Sequence, residues 1–170
     1  RSINRAVTEN LPSLLEMAQV VHLCGTLDWP EIEPLADRLP AGLAGRYHPM
    51  PYLHEMGAAL ASADLVISRA GASVLGEYPL FGLPAILVPY PFAWRYQRVN
   101  AGVLARHRAA LIVEDQLLMQ DLLPLITDLL RNPAKLQAMR ESMRSLRQPQ
   151  AAGTIAGELV RLAEPRSSNG

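Results

Sequence analysis

The stretch Asp64-Leu65-Val66-Ile67-Ser68-Arg69-Ala70-Gly71-Ala72-Ser73-Val74-Leu75-Gly76-Glu77 passes from a short apolar run, through four small residues, into helical spacing. A strand that turns tightly into a helix is the repeating unit of an α/β sheet. Three further compact runs have the same character: Val20–Cys24 before Gly25, Pro84–Pro89, and Ala109–Val113. Near-continuous apolar runs of this length suit strands buried on both faces. Gly45–His48 is a weaker fifth candidate, expected to stop at Pro49. The intervening segments have helical spacing: Ile3–Met17 with a break at Pro12, Pro30–Leu39, His54–Ser62, Ser73–Phe81 stopped by Gly82 and shortened or kinked by Pro79, Arg95–His107, Leu117–Asn132, Pro133–Arg147 and Ala151–Ala163. Alternating strand and helix predicts an α/β fold with a doubly wound, mostly parallel, Rossmann-like sheet. The chain carries no internal repeat and no linker. Residues 1–164 read as one lobe and 165–170 as a frayed, disordered tail.

Composition narrows the function classes. The chain has 170 residues, 49% hydrophobic, so a packed core is available. Sixteen basic residues balance sixteen acidic ones, and aromatics are only 5%, which argues against a nucleic-acid partner. The single cysteine, Cys24, excludes an internal disulfide and a cysteine-based zinc site, and suits a reducing compartment. His22, His48, His54 and His107 match no zinc spacing, so no metal is expected, and His22 reads as a core histidine. No cofactor is expected either. No apolar run approaches the roughly 20 residues that span a bilayer. The opening Arg1-Ser2-Ile3-Asn4-Arg5 lacks both a methionine and a signal-peptide core, as expected of a processed or truncated chain. Arg140, Arg144 and Arg147 stripe one helix face and read as solvated surface.

Two places carry chemistry in their spacing. In a doubly wound sheet, ligands bind beyond the carboxyl ends of the strands, so the loops after Cys24, Pro49, Ser68 and Pro89 are the places to look. The loop 68–73 opens a helix, where backbone N–H groups and the helix dipole favour an anion such as phosphate. Glu77 lies one turn further on, within reach of a ribose diol. By spacing alone an ordinary strand-to-helix turn, with Glu77 as a first-turn acid, is the commoner meaning. Gln97 and Asn100 share a helix face, and both suit sugar hydroxyls or an acetamide; a capping or packing role fits them equally. The Walker pattern is absent, with Lys135 the only lysine, and Gly71-Ala72-Ser73-Val74-Leu75 breaks the serine-hydrolase elbow at its last position.

Three blocks in order resemble the C-terminal lobe of the MurG-like transferases, two-lobed glycosyltransferases of the GT-B fold that move N-acetylglucosamine in peptidoglycan synthesis. They are Ala63–Glu77, Gly82–Pro89 and Gln97–Ala101. Tyr52–Met56 resembles the loop before the family's short alanine-rich helix, and Arg1–Val7 resembles the stretch after its glycine-rich loop. The resemblance implies a donor site for UDP-N-acetylglucosamine. Leu53 would touch the uracil through its backbone. Gly71, Ala72, Ser73, Val74, Leu75 and Gly76 would sit beside the diphosphate, Glu77 would hold the ribose, and Gln97 would meet the sugar with Asn100 supporting that loop. The chain departs from the family at Val74 and Gly76, which replace hydroxyl residues, at Tyr96, which stands beside the sugar in place of His or Gln, and at Pro79.

The implied reaction is an inverting hexosyl transfer to undecaprenyl-diphosphate-MurNAc-pentapeptide. The partners would be this chain's own N-terminal lobe and, through it, the lipid-linked acceptor. The place would be the cytoplasmic face of the bacterial inner membrane, in the service of cell-wall growth, cell shape and division. The catalytic base is expected on the N-terminal lobe, which with the glycine-rich loop lies outside this sequence, so the isolated chain is expected to bind donor without turning it over. Two alternatives stand beside this. One is a GT-B donor lobe that acts on a glycolipid or works with a separate acceptor subunit. The other is a non-catalytic α/β module for a nucleotide or a protein.

Overall fold

A computed structural model of the chain describes residues 1–93 and 96–163. Trp94, Arg95 and the expected tail fall outside them. The chain opens with α1 (Ser2–Glu9) and α2 (Leu11–Met17), which meet at Asn10, and Pro12 lies in the first turn of α2. Proline costs nothing there, because first-turn amides have no helical acceptor. The single expected helix is therefore two. Strand β1 (Val20–Leu23) follows, then α3 (Trp29–Ile32), a 3-10 turn (Glu33–Arg38), and α4 (Ala41–Ala44), which sequence reasoning missed. Next come β2 (Tyr47–Met50), α5 (Met56–Ser62), β3 (Val66–Ser68), α6 (Val74–Phe81), β4 (Ala85–Leu87), α7 (Tyr96–Arg106) and β5 (Ala110–Ile112). A 3-10 turn (Asp115–Leu117), α8 (Leu118–Arg131), α9 (Pro133–Ser145) and α10 (Ala151–Ala163) complete it.

Every strand pairing is parallel, and helices flank the strands, giving the Rossmann-like arrangement that the alternation predicts. The ladders form two groups, β1-β2 and β3-β4-β5. β2 does not stop at Pro49, which sits opposite His22. The amide of Val20 reaches the carbonyl of Arg46, and that of Cys24 reaches Met50. Even-numbered residues of β2 therefore face β1, and the proline's missing N–H points to the open edge, where no bond is lost. α6 ends at Phe81 before Gly82 as expected, and Pro79 does not shorten it.

β4 shows why the sheet is covered on both sides. Its three residues are all buried. Ala85 and Leu87 belong to a cluster with Val74 and Tyr78 of α6, Ala101 and Leu104 of α7, and Met143 of α9. Ile86 and Val88 belong to the opposite cluster, with Ala6 and Val7 of α1 and Leu118, Leu122, Ile126 and Leu129 of α8. Alternate side chains of a strand point to opposite faces, so an apolar run can only be satisfied by two helical layers. Each such Leu or Ile, fully buried, stabilises the fold by about 2 kcal/mol. A third, smaller cluster of Leu11, Leu15, Cys24, Ile32 and Tyr47 closes the β1-β2 end.

Of the arginine stripe, Arg144 and Arg147 are exposed as expected, while Arg140 is not. Arg140 donates to Asp64 just before β3, with 20% of its own side chain exposed. The stem of Arg144 lies over Gly82, which ends α6 in the left-handed region at φ 63°. A Cβ there would meet Cγ and Nε of Arg144. Gly82→Ala should therefore lower stability by about 1–2 kcal/mol from backbone strain alone. In urea melts, combining it with Arg144→Ala should remove only the steric part of the loss. A Gly82→Ala protein as stable as the parent would contradict this account.

Candidate functional site

β3, β4 and β5 all end on one side of the fold, and the loops leaving them meet there. Arg69 follows β3 directly. Its Nη1 donates to the Val88 carbonyl (3.1 Å) and pairs with Asp115 (2.6 Å); its Nη2 donates to the Ser2 hydroxyl (2.6 Å). Ser2 in turn donates to Asp115 (2.6 Å), closing a triangle. Burial alone would raise the Asp115 carboxyl, but the bonds from Ser2 and Arg69 and the arginine's charge outweigh it and hold the group below its ordinary range. The guanidinium also lies 5.2 Å from the centre of the Tyr90 ring. One side chain thus fastens the start of α1, the end of β4, the loop beyond it, and the turn before α8. Sequence reasoning passed over Arg69, because its partners are distant in the chain.

The loop 68–73 is held from below. Tyr78 of α6 donates to the Ser68 hydroxyl (2.7 Å), which donates to the Arg69 carbonyl (2.9 Å). Asn100 of α7 donates to the carbonyl of fully buried Ala70 (3.0 Å). The chain then winds into α6 through short turns: the amides of Val74, Leu75 and Gly76 reach back to Gly71, Ala72 and Ser73. The donors left over are the amides of Gly71, Ala72 and Ser73, which have no intramolecular acceptor among the described residues. Nothing crowds Gly71, and an added Cβ would point into open space. Donor groups before a helix, next to open space, are the ingredients of an anion seat.

Gly71, Ala72, Phe92, Ala93, Tyr96, Gln97 and Asn100 line one open cleft of about 550 Å³. It brings together four of the predicted site residues, Gly71, Ala72, Gln97 and Asn100. Ser73 follows on the same loop. Gln97 already accepts the Tyr90 amide through Oε1 (2.9 Å), so its Nε2 is the end left for a ligand. Val74 contributes backbone only, its side chain being in the core. Leu75, Gly76 and Glu77 lie exposed on the outer face of the first turn of α6, outside the cleft lining. Leu53 lies beyond the carboxyl end of β2, also outside that lining. A larger concavity of about 620 Å³ runs along α8 from Leu123 to Asn132. It is built on a single helix and its cap, and its Asp128 is paired with Lys135.

At the end of β1 a second network fixes α1. Asn4 donates through Nδ2 to the Cys24 carbonyl (2.8 Å) and to Asp28 (2.7 Å), and Arg1 pairs with the same carboxylate (3.0 Å). Asn4 Oδ1 is then an acceptor, so His22 donates to it from Nε2 (3.1 Å) and accepts at Nδ1 from the Tyr47 hydroxyl (2.9 Å). Both nitrogens of the neutral ring are satisfied. The core-histidine reading of His22 is what the structure shows, at 6% exposure.

The description "Glycosyltransferase family 28 C-terminal domain" fits residues 1–155. Two relatives are named UDP-N-acetylglucosamine–N-acetylmuramyl-(pentapeptide) pyrophosphoryl-undecaprenol N-acetylglucosamine transferase. The one from Roseiflexus sp. is 41% identical over 92% of this chain, which spans 40% of it. The one from Chlorobium limicola is 38% identical over 97% of the chain and 44% of its own length. Among solved structures, Acinetobacter baumannii MurG superposes with a TM-score of 0.75 at 29% identity, over 93% of this chain and 48% of that one. The chain therefore spans less than half the length of the relatives it matches.

The His22 network has a measurable consequence. Burial pushes the ring down from 6.5 to about 4, against a small opposing pull from Asp28. Between those values the unfolded chain holds a proton that the folded chain refuses. Stability from this group is therefore complete above pH 6.5 and falls as pH drops toward 4, by up to about 3 kcal/mol. Urea melts at pH 7 and 4.5 should show the loss in the parent and a smaller one in His22→Gln. Equal losses in both would refute the assignment.

Proposed function

The chain belongs to the glycosyltransferase family 28 C-terminal domain family, and from that premise we propose that residues 1–164 are the donor lobe of a UDP-N-acetylglucosamine transferase acting in peptidoglycan synthesis. The observation that carries the proposal is the juxtaposition at the end of β3. Three backbone amides without partners among the described residues precede α6, beside a cleft that also presents the amide side chains of Gln97 and Asn100. The amides of Gly71, Ala72 and Ser73 take the diphosphate, Glu77 takes the ribose hydroxyls, Leu53 borders the base, and Gln97 meets the sugar. Glu77 is exposed, so its carboxylate is available.

The chemistry is a single displacement. An acceptor hydroxyl attacks the anomeric carbon, the bond to the UDP oxygen breaks, and configuration inverts. Negative charge builds on the leaving diphosphate, where preorganised amides stabilise it best, having no reorganisation to undergo during the reaction. The acceptor proton needs a base. Among the described residues lining the cleft none carries a carboxylate or an imidazole, and the nearby Glu77 is assigned to the ribose. The base therefore belongs to a second lobe, supplied by the part of the relatives' length that this chain does not span, along with the surface for undecaprenyl-diphosphate-MurNAc-pentapeptide. No helix among the described residues is long and apolar enough to cross a membrane. Contact with the lipid-linked acceptor at the cytoplasmic face of the membrane falls to that other lobe.

Titration calorimetry of the chain with UDP-GlcNAc tests this directly. Glu77→Ala should weaken binding at least about tenfold, the scale of losing charge-assisted bonds to a diol, with an unchanged melting temperature because the side chain is exposed. Equal affinity in parent and variant would remove Glu77 from the site. Sugar transfer by the isolated chain would overturn the assignment of the base to a second lobe.

A further inference from the structure

Phe92 is 82% exposed and Tyr96 is 72% exposed. Two large rings left in water so close together mark a surface made for contact. Phe92 is propped by the fold. Tyr90 meets it edge to face, with ring centres 5.6 Å apart and planes at 66°. Tyr90 is itself held twice: Arg69 stands 5.2 Å from its ring, and Gln97 accepts its amide. A ladder of contacts therefore runs from the Arg69–Asp115 pair outward to Phe92.

Both rings line the cleft that holds Gly71, Ala72, Gln97 and Asn100. One part of its wall is aromatic and another carries amide donors and acceptors. A ligand that fits must be apolar on one face and polar around its rim. A pyranose has this form, since its C–H bonds cluster on a face while its hydroxyls radiate outward. Those C–H groups are weakly positive and meet the negative face of an aromatic ring. Resting on the donor reading above, we propose that Phe92 and Tyr96 form a stacking wall for the hexosamine ring of the nucleotide sugar. They set how strongly the chain prefers a sugar-bearing nucleotide over the bare diphosphate, and Gln97 reads the rim of the same ring through Nε2.

The test compares UDP with UDP-GlcNAc on the 170-residue chain, by calorimetry and by saturation-transfer NMR. The variants are Phe92→Ala, Tyr96→Ala, the double replacement, and Tyr96→Phe. Each loss of a ring should weaken UDP-GlcNAc by roughly three- to tenfold, the scale of one aromatic contact. UDP should stay within about twofold throughout. Saturation reaching the sugar-ring protons should fall in the alanine variants and persist in Tyr96→Phe. The proposal is overturned if UDP and UDP-GlcNAc weaken alike, which would make the rings supports of the loop. It is also overturned if neither weakens and the sugar protons stay saturated, which would leave the rings to an acceptor or another lobe. If the parent binds no UDP at all, the donor reading fails and this proposal falls with it.

Discussion

The Arg69 side chain is the joint on which the functional end of the molecule depends. A parallel sheet delivers its strands to one edge but does not fix the loops beyond them. Arg69 does so by bonding at once to the end of β4, to Ser2 at the start of α1, and to Asp115 before α8. Its planar fork can serve several acceptors in one geometry, which a lysine could not. The pair with Asp115 is partly exposed, so its contribution to stability is modest. Its larger effect is positional. It sets where the 68–73 loop leaves the sheet, and through Tyr90 it sets where the aromatic wall of the cleft stands.

Around that joint, local choices agree. Small residues at 70–73 let the backbone turn without crowding the space above it. Ala70 is fully buried and its carbonyl is claimed by Asn100, so the loop is anchored from inside. The first amides of α6 turn back onto the loop, and the unengaged donors fall one step earlier, at Gly71–Ser73. Rigid support below and unmet donors above are what a preorganised anion site requires. In the donor site proposed above, this arrangement presents amide donors to a leaving diphosphate. Beside the Tyr96 hydroxyl, the polar side chains among the described residues lining the cleft are the amides of Gln97 and Asn100.

Much of this was legible in the order of residues. Val20–Cys24, Pro84–Pro89 and Ala109–Val113 each contain the observed strand, but only β4 is buried on both faces; β1 leaves Val21 exposed and buries His22. The helix ends at Gly82 and Asn132 were readable because a left-handed glycine and an asparagine before proline are local signals. Pro49 misled, since whether a proline breaks a ladder depends on which way its nitrogen faces, and that is decided by the neighbouring strand. The pairing of Arg140 was not legible because Asp64 is far away in sequence, and the same holds for the approach of the exposed Arg144 to Gly82. The site divides the same way. The helix-start loop and the shared face of Gln97 and Asn100 follow from local spacing, but spacing left their roles open, and Asn100 does hold the Ala70 carbonyl. Arg69 and the Tyr90–Phe92 contact are long-range or conformational, and spacing carries no trace of them.

Backbone amide mapping by heteronuclear NMR, following a titration with UDP, tests the central claim most directly. The amides of Gly71, Ala72 and Ser73 should move most, and the side-chain amide of Gln97 should follow only when UDP-GlcNAc replaces UDP. Shifts confined to the α8 groove between Leu123 and Asn132, or none at residues 71–73 at saturating UDP, would contradict the account.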